Sequence, residues 1–310
     1  MNYESLLKDI LNEDERFVVM TAENRAALRT LPVHFSSRFI DVGIAEQTLI
    51  GMSAGLALRG RIPVVHALAA FLTMRAFEFI RTDIGISELP VKLVGSIPGV
   101  LSEANGPTHQ ALEDIALMRG IPSMKIFCPA DYEDLLIGLR TVLYDDAPFY
   151  IRFNALAPAL SHDRDFAVGK AEVISEGSDV TIITYGPLFK EAYSAIGMLE
   201  EHDIHAGLVN LRTVKPFDEE AVLSAVETSR FLVVLEDHFI TGGLFSAIAE
   251  LFLRRHITCR VLPITMDNRW FKPARLDDIL AYEGFSAQQI AERIMEELDA
   301  QYSAIQSFLS

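Results

Sequence analysis

The chain has 310 residues, half of them hydrophobic, and a formal net charge of −16. That length is comfortable for two domains, and the acidity excludes the basic face that nucleic-acid or anionic-membrane binding requires. The polar, amphipathic start is neither a signal nor a transit peptide, and no apolar run approaches the ~20 residues of a membrane span, so a cytoplasmic protein is expected.

Residues 3–12 read as a short helix, and 17–21 (FVVMT) and 39–42 (FIDV) as strands. A helix is predicted over 44–58, a strand over 62–68, a helix over 72–84 and a strand over 91–94. An irregular Gly- and Pro-containing loop follows to 108. Next come a helix over 109–119 with Thr108 as its N-cap, a strand over 124–128, a helix over 132–144 and a strand over 149–153. The pattern lapses from 154 to 169, then resumes with strands at 170–174 and 180–185 and a helix at 188–200. Strands at 206–210, 231–235 and 260–263 alternate with helices at 218–228 and 243–254, and an amphipathic helix spans 287–298. About seven strands fall in the first half and five in the second. Alternation of apolar strands with helices predicts an α/β fold of two open, mostly parallel, doubly wound sheets. The domains are placed at 1–155 and 170–310, joined by a linker at 156–169. Cys128 and Cys259 lie far apart beside apolar runs and read as reduced core residues.

Between 44 and 58 apolar or small residues occur all the way round the helix, which predicts burial on every side, yet the run contains one charge, Glu46. A buried, unpaired carboxylate costs several kcal/mol, about the price of a lost ion-pair partner. Glu46 is therefore either paired with an arginine such as Arg38 or Arg75, or reserved for proton chemistry. Gly51, Ser53, Ala54, Gly55 and Ala57 would let another backbone approach closely. His109, read at a helix N-terminus, is either a capping or solvated residue or a proton-handling group that the dipole keeps neutral. Phe71, Met74 and Phe77 share a helical face that suits the core or a flat wall for a heteroaromatic ring. Glu236-Asp237-His238 precede Thr241-Gly242-Gly243 at a strand end, where ligands gather in open α/β sheets; a plain strand–helix turn is the alternative. No GxGxxG, Walker loop, HExxH or CxxC is present, nor a Gly-Asp-Gly stretch followed by a downstream Asn.

Taken together, VGIAEQ (42–47), AAFLTMRAFEFIRTDI (69–84), GPTHQALEDIALMRGIP (106–122), KPFDEE (215–220) and VVLEDHFITGG (233–243) resemble the C-terminal half of transketolase, encoded as a separate subunit. The resemblance covers nearly the whole chain and implies a pyrimidine-binding domain followed by a transketolase C-terminal domain. It matches Glu46 to the glutamate that hydrogen-bonds N1′ of the thiamine diphosphate aminopyrimidine and favours its imino tautomer. It matches Phe71 to the aromatic that stacks on that ring, with Leu68, Met74 and Phe77 as surroundings, and His109 to a substrate-facing histidine. His238 lies where the C-terminal domain would approach the partner subunit. The absent Gly-Asp-Gly stretch implies that diphosphate and Mg²⁺ are held by an N-terminal partner subunit, in an α₂β₂ assembly; no metal ligand is assigned to this chain.

Three positions depart from the family. Ile97 stands where many relatives carry histidine, Asn154 where many carry a phosphate-binding arginine, and Asn105 near a frequent aspartate. Loss of a charge-assisted phosphate contact removes about 1.5–3 kcal/mol of binding, which implies a two-carbon ketol or related acyl transfer in a specialised pathway with less phosphorylated substrates. The β subunit of a thiamine-dependent 2-oxoacid dehydrogenase shares the domain pair and the glutamate, but THQALED fits the transketolase side better. A 1-deoxyxylulose-phosphate synthase is normally one chain. A non-catalytic regulatory or scaffold subunit would not need Glu46, Phe71 and His109 together.

Overall fold

The computed structural model describes residues 2–267 and 269–309, with the side chains of 104 and 301–309 outside that description. In chain order the elements begin with α1 (Tyr3–Glu13), β1 (Phe17–Thr21), α2 (Leu31–His34), β2 (Phe39–Asp41), α3 (Glu46–Ala57) and β3 (Ile62–Leu68). Two π-helical turns, Phe71–Arg75 and Ile80–Gly85, flank the short α4 (Phe77–Phe79). Then come β4 (Lys92–Ser96), α5 (Asp114–Arg119), β5 (Lys125–Phe127), α6 (Tyr132–Tyr144) and β6 (Phe149–Phe153). The second half contains β7 (Glu172–Ser175), β8 (Val180–Thr184), α7 (Phe189–Glu200), β9 (Ala206–Asn210), β10 (Thr213–Lys215) and α8 (Glu219–Thr228). It ends with β11 (Phe231–Phe239), α9 (Leu244–Arg255), β12 (Val261–Met266), α10 (Leu276–Glu283) and α11 (Ala287–Leu309).

Two mostly parallel sheets result, with strand orders β10-β5-β6-β4-β3-β1-β2 and β12-β11-β8-β9-β7. β1 and β8 are buried along their whole length, as continuous apolar runs in two-face-covered sheets should be. The first sheet differs from the expected count: six of its strands come from the first half, and the seventh, β10, is lent by the second half and runs antiparallel to β5. β7 is likewise antiparallel to β9. The short helices α2 and α10 were not expected, and β11 and α11 extend well beyond their predicted ends.

Two buried polar clusters join the halves. Arg152 donates from Nε to Asp114 (2.9 Å) and from Nη1 and Nη2 to Asp237 (2.8 and 3.3 Å), while Tyr150 donates to Asp114 at 2.6 Å. His162, in the stretch between the halves, lies 2.7 Å from both Asp131, the N-cap of α6, and Glu172 of β7. Beside it Arg212 lies 2.8 Å from Asp134 and 3.1 Å from Glu172. Glu236, Asp237 and His238 are fully buried at the carboxyl end of β11, which leads through Thr241-Gly242-Gly243 into α9 as the sequence suggested, and His238 accepts the Ala116 N–H at 3.2 Å from within the chain. Within the chain they serve the contact between the two halves. Burial raises the Glu236 carboxyl to about 7 against the pull of the Phe245 and Leu244 N–H groups. Cys128 is buried and Cys259 half-buried, both as free thiols.

Candidate active site

α3 packs on β3 and on the helical turns 71–85, which bury Leu49, Ile50, Ser53, Ala54 and Ala57. Its other side, carrying Ile44, Gln47, Thr48, Gly51, Met52, Gly55 and Leu58, is exposed. The expected burial on all sides is therefore corrected. Small and apolar residues all round a helix satisfy a core on one side and an uncovered face on the other equally well.

Glu46 opens α3, and its side chain is only 3% exposed. Its Oε2 accepts a hydrogen bond from Arg75 Nη1 at 2.9 Å, the ion pair that the residues alone had offered as one alternative; Arg38 instead donates to the Asp14 carbonyl and packs on Phe35. Among the described residues no group hydrogen-bonds Oε1. The Arg75 guanidinium also lies over the Phe71 ring, 4.2 Å from its centroid, and Gln47 Nε2 donates to the Arg75 carbonyl at 3.2 Å. Phe71 meets the His109 ring edge-on at 4.9 Å. Glu46, Arg75, Phe71 and His109 thus form one continuous array. Sequence reasoning gave Arg75 no part in that array beyond pairing with Glu46; its spacing of four from Phe71 was the available signal. Leu68 and Phe77 are half-buried, and Met74 is exposed rather than set in a wall.

His109 does not begin a helix. The segment Val100–Thr108 winds as tight turns that end at His109, and α5 starts only at Asp114. Thr108 is no N-cap; its hydroxyl lies 2.8 Å from His109 Nδ1. The helix-dipole argument therefore does not apply to this histidine. The segment is shaped by its contacts: Gly99, at φ +59°, exchanges backbone hydrogen bonds with Ala111, and a Cβ there would fall 1.6 Å from Asp237. Only glycine fits that approach.

Beyond this array, a cavity of about 400 Å³ opens at the carboxyl ends of β1, β4 and β6. Asn24, Ser96, Ile97, Glu103, Asn154 and Leu276 line it. Two of the positions that depart from the family, Ile97 and Asn154, thus share one wall. Glu103 accepts the Leu276 N–H at 3.3 Å, tying the loop to α10; no local signal in the sequence announces that contact.

Residues 2–157 match the model of the transketolase pyrimidine-binding domain, and residues 169–290 that of the transketolase C-terminal domain. The chain is 34% identical over 302 residues to a putative transketolase C-terminal section of Methanocaldococcus jannaschii, covering 96% of this chain and 95% of that one. It is 39% identical over 253 residues to the 6-deoxy-6-sulfo-D-fructose transketolase subunit SqwH of Clostridium sp. strain MSTE9, covering 80% and 78%. A solved structure described as a split gene transketolase, inactive beta4 tetramer, superimposes with a TM-score of 0.86 at 32% identity, covering 95% and 96%. The chain therefore belongs to the thiamine diphosphate-dependent transketolase family, alongside its separately encoded C-terminal sections.

Proposed function

We propose that this chain is the C-terminal subunit of a two-chain transketolase-like enzyme, with Glu46 at its centre. The carrying observation is Glu46 itself: a carboxylate withdrawn from water, held through one oxygen, with the other free of hydrogen-bond partners among the described residues. The flat guanidinium between that carboxylate and the Phe71 face occupies the kind of space a planar aminopyrimidine would need. The donor set fits the coenzyme, with Arg75, 41% exposed, free to yield. Glu46 would hold a proton at a ring nitrogen and Phe71 would stack, with Leu68, Met74 and Phe77 around them. When bound, the coenzyme supplies a stabilised carbanion equivalent for two-carbon transfer. His109, turned edge-on by Phe71 and held at Nδ1 by Thr108, would present Nε2 to substrate oxygens.

Mg²⁺ and the diphosphate are assigned to an N-terminal partner subunit in an α₂β₂ assembly. The exposed apolar residues Ile44, Met52, Leu58, Met74, Phe79 and Ile86 support this assignment, because α3 and the 71–86 segment offer them without a cover. Residues 1–155 would form the pyrimidine-binding domain and 170–310 the C-terminal domain, with 156–169 between them. Ketol transfer in a specialised pathway is supported by Ile97 and Asn154, and by the sulfosugar named for the Clostridium relative.

The test is reconstitution with the partner subunit. The chain alone should show no ketol transfer, the complex should, and Glu46→Ala should lower kcat about 10²–10⁴-fold, the range of a lost proton-transfer group. Full activity of the Glu46→Ala complex would refute the reading and favour a scaffold.

A further inference from the structure

We propose that the cavity at the carboxyl ends of β1, β4 and β6 receives the tail of the sugar substrate and selects a tail without a phosphate. The proposal rests on the transketolase-like reading above and adds to it the substrate class.

Location is the first argument. The crevice outside the carboxyl ends of parallel strands is where open α/β sheets bind ligands, and the loop that walls this cavity, 96–108, leads directly into His109.

Strain is the second. Ile97 has φ +50° and Glu103 has φ +34°. For a β-branched residue and a glutamate these are uncommon and costly backbone states, and such states persist where the surrounding structure enforces them, often at ligand sites. Both residues line this one cavity.

Chemistry is the third. Among the described lining residues the only charge is the Glu103 carboxylate, and no lysine, arginine or histidine is among them. The side-chain donors are neutral. Asn154 spends one N–H on the Pro129 carbonyl and its oxygen on the Leu156 N–H, at 3.0 and 3.2 Å. Asn24 donates to the Ser96 oxygen at 2.8 Å. Among the described residues, what remains without a partner is the Ser96 hydroxyl proton, one N–H on each amide, the Asn24 oxygen and one Glu103 oxygen. Such a mixture of neutral donors and acceptors matches sugar hydroxyls, which both give and take hydrogen bonds. From the described lining residues of this chain a phosphomonoester dianion would meet no cation and one like charge, which disfavours it. Arg29 lines an adjoining trough that shares Ala26, Ala27, Phe153 and Ala155 with the cavity, but is not itself part of the wall.

The experiment uses the reconstituted complex and compares kcat/KM for D-glyceraldehyde with that for D-glyceraldehyde 3-phosphate as acceptors of one ketol donor. The wild-type ratio should exceed one, by about tenfold. Asn154→Arg supplies a charge-assisted contact and should lower the ratio at least tenfold. Glu103→Lys, at an exposed position, should lower it severalfold without depending on the buried Asn154 site. A wild-type ratio of one or less, or a ratio that neither variant moves, overturns the proposal. A complex that turns over neither acceptor, with Glu46→Ala indistinguishable from wild type, overturns the functional reading itself and the proposal with it.

Discussion

Arg75 touches both groups that the proposed cofactor ring would need, the Glu46 carboxylate and the Phe71 face. In the single chain it neutralises a carboxylate that would otherwise be buried alone. Removing one partner of a fully buried pair costs about 3–5 kcal/mol, but the guanidinium here is 41% exposed, so solvent screening lowers the expectation to about 1–2 kcal/mol. Arg75→Met should therefore lower Tm measurably by calorimetry. Combining it with Glu46→Gln should cost less than the sum of the two single changes, because the charge left stranded by one is removed by the other. Strict additivity would show that the pair does not neutralise Glu46.

At the scale of elements, α3 is the informative helix. Its inner side is held by β3 and the 71–85 turns, and its outer side carries Gly51 and Gly55, which have open space beyond them or nearly so. Met52→Asp on that outer side removes no core contact. It should leave the circular dichroism spectrum and Tm of the isolated chain unchanged, yet weaken association with the proposed partner subunit by at least tenfold in Kd, since a central charge would have to be desolvated. Unchanged association by titration calorimetry would place the interface elsewhere. The π-helical turns beside α3 belong to the same argument: they widen the helix where Phe71 and Arg75 must face Glu46, and such widened turns gather at functional sites.

Across the whole molecule, the two halves are joined by buried charges instead of a purely apolar seam. Burial opposes a charged His162, but its hydrogen bonds to Asp131 and Glu172 prevail and raise it to about 10. Burial likewise opposes a charged Glu172, yet His162, the Asp163 N–H and Asn210 bring it down to about 2. The His162 contribution to stability is fully present below its ordinary pKa, about 6.5, and is lost as pH rises through 10. The Glu172 contribution is fully present above the ordinary 4.5 and is lost as pH falls through 2. Unfolding free energy should thus be flat between about pH 4.5 and 6.5 from this pair and decline on both sides. Denaturant titrations across pH check this, and His162→Asn should remove the alkaline decline; an alkaline limb unchanged in that variant would assign it to other groups.

The sequence by itself determined the layers. Apolar runs of strand length, alternating with helical stretches, specify covered parallel sheets because each period allows only one kind of surface. Lone Glu46 in an oily helix marked the candidate site, because an unpaired carboxylate needs an explanation wherever it is buried. Only the tertiary structure decided that Arg75, 29 residues away, answers Glu46, that one side of α3 stays open, that His109 closes a turn instead of starting a helix, and that β10 crosses to the first sheet. It also decided that Ile97, Glu103 and Asn154 share a cavity with Leu276, which lies 173 residues from Glu103. Local periodicity constrains which face of an element is apolar, whereas the choice of neighbour depends on packing among segments distant in the chain, which no local pattern encodes.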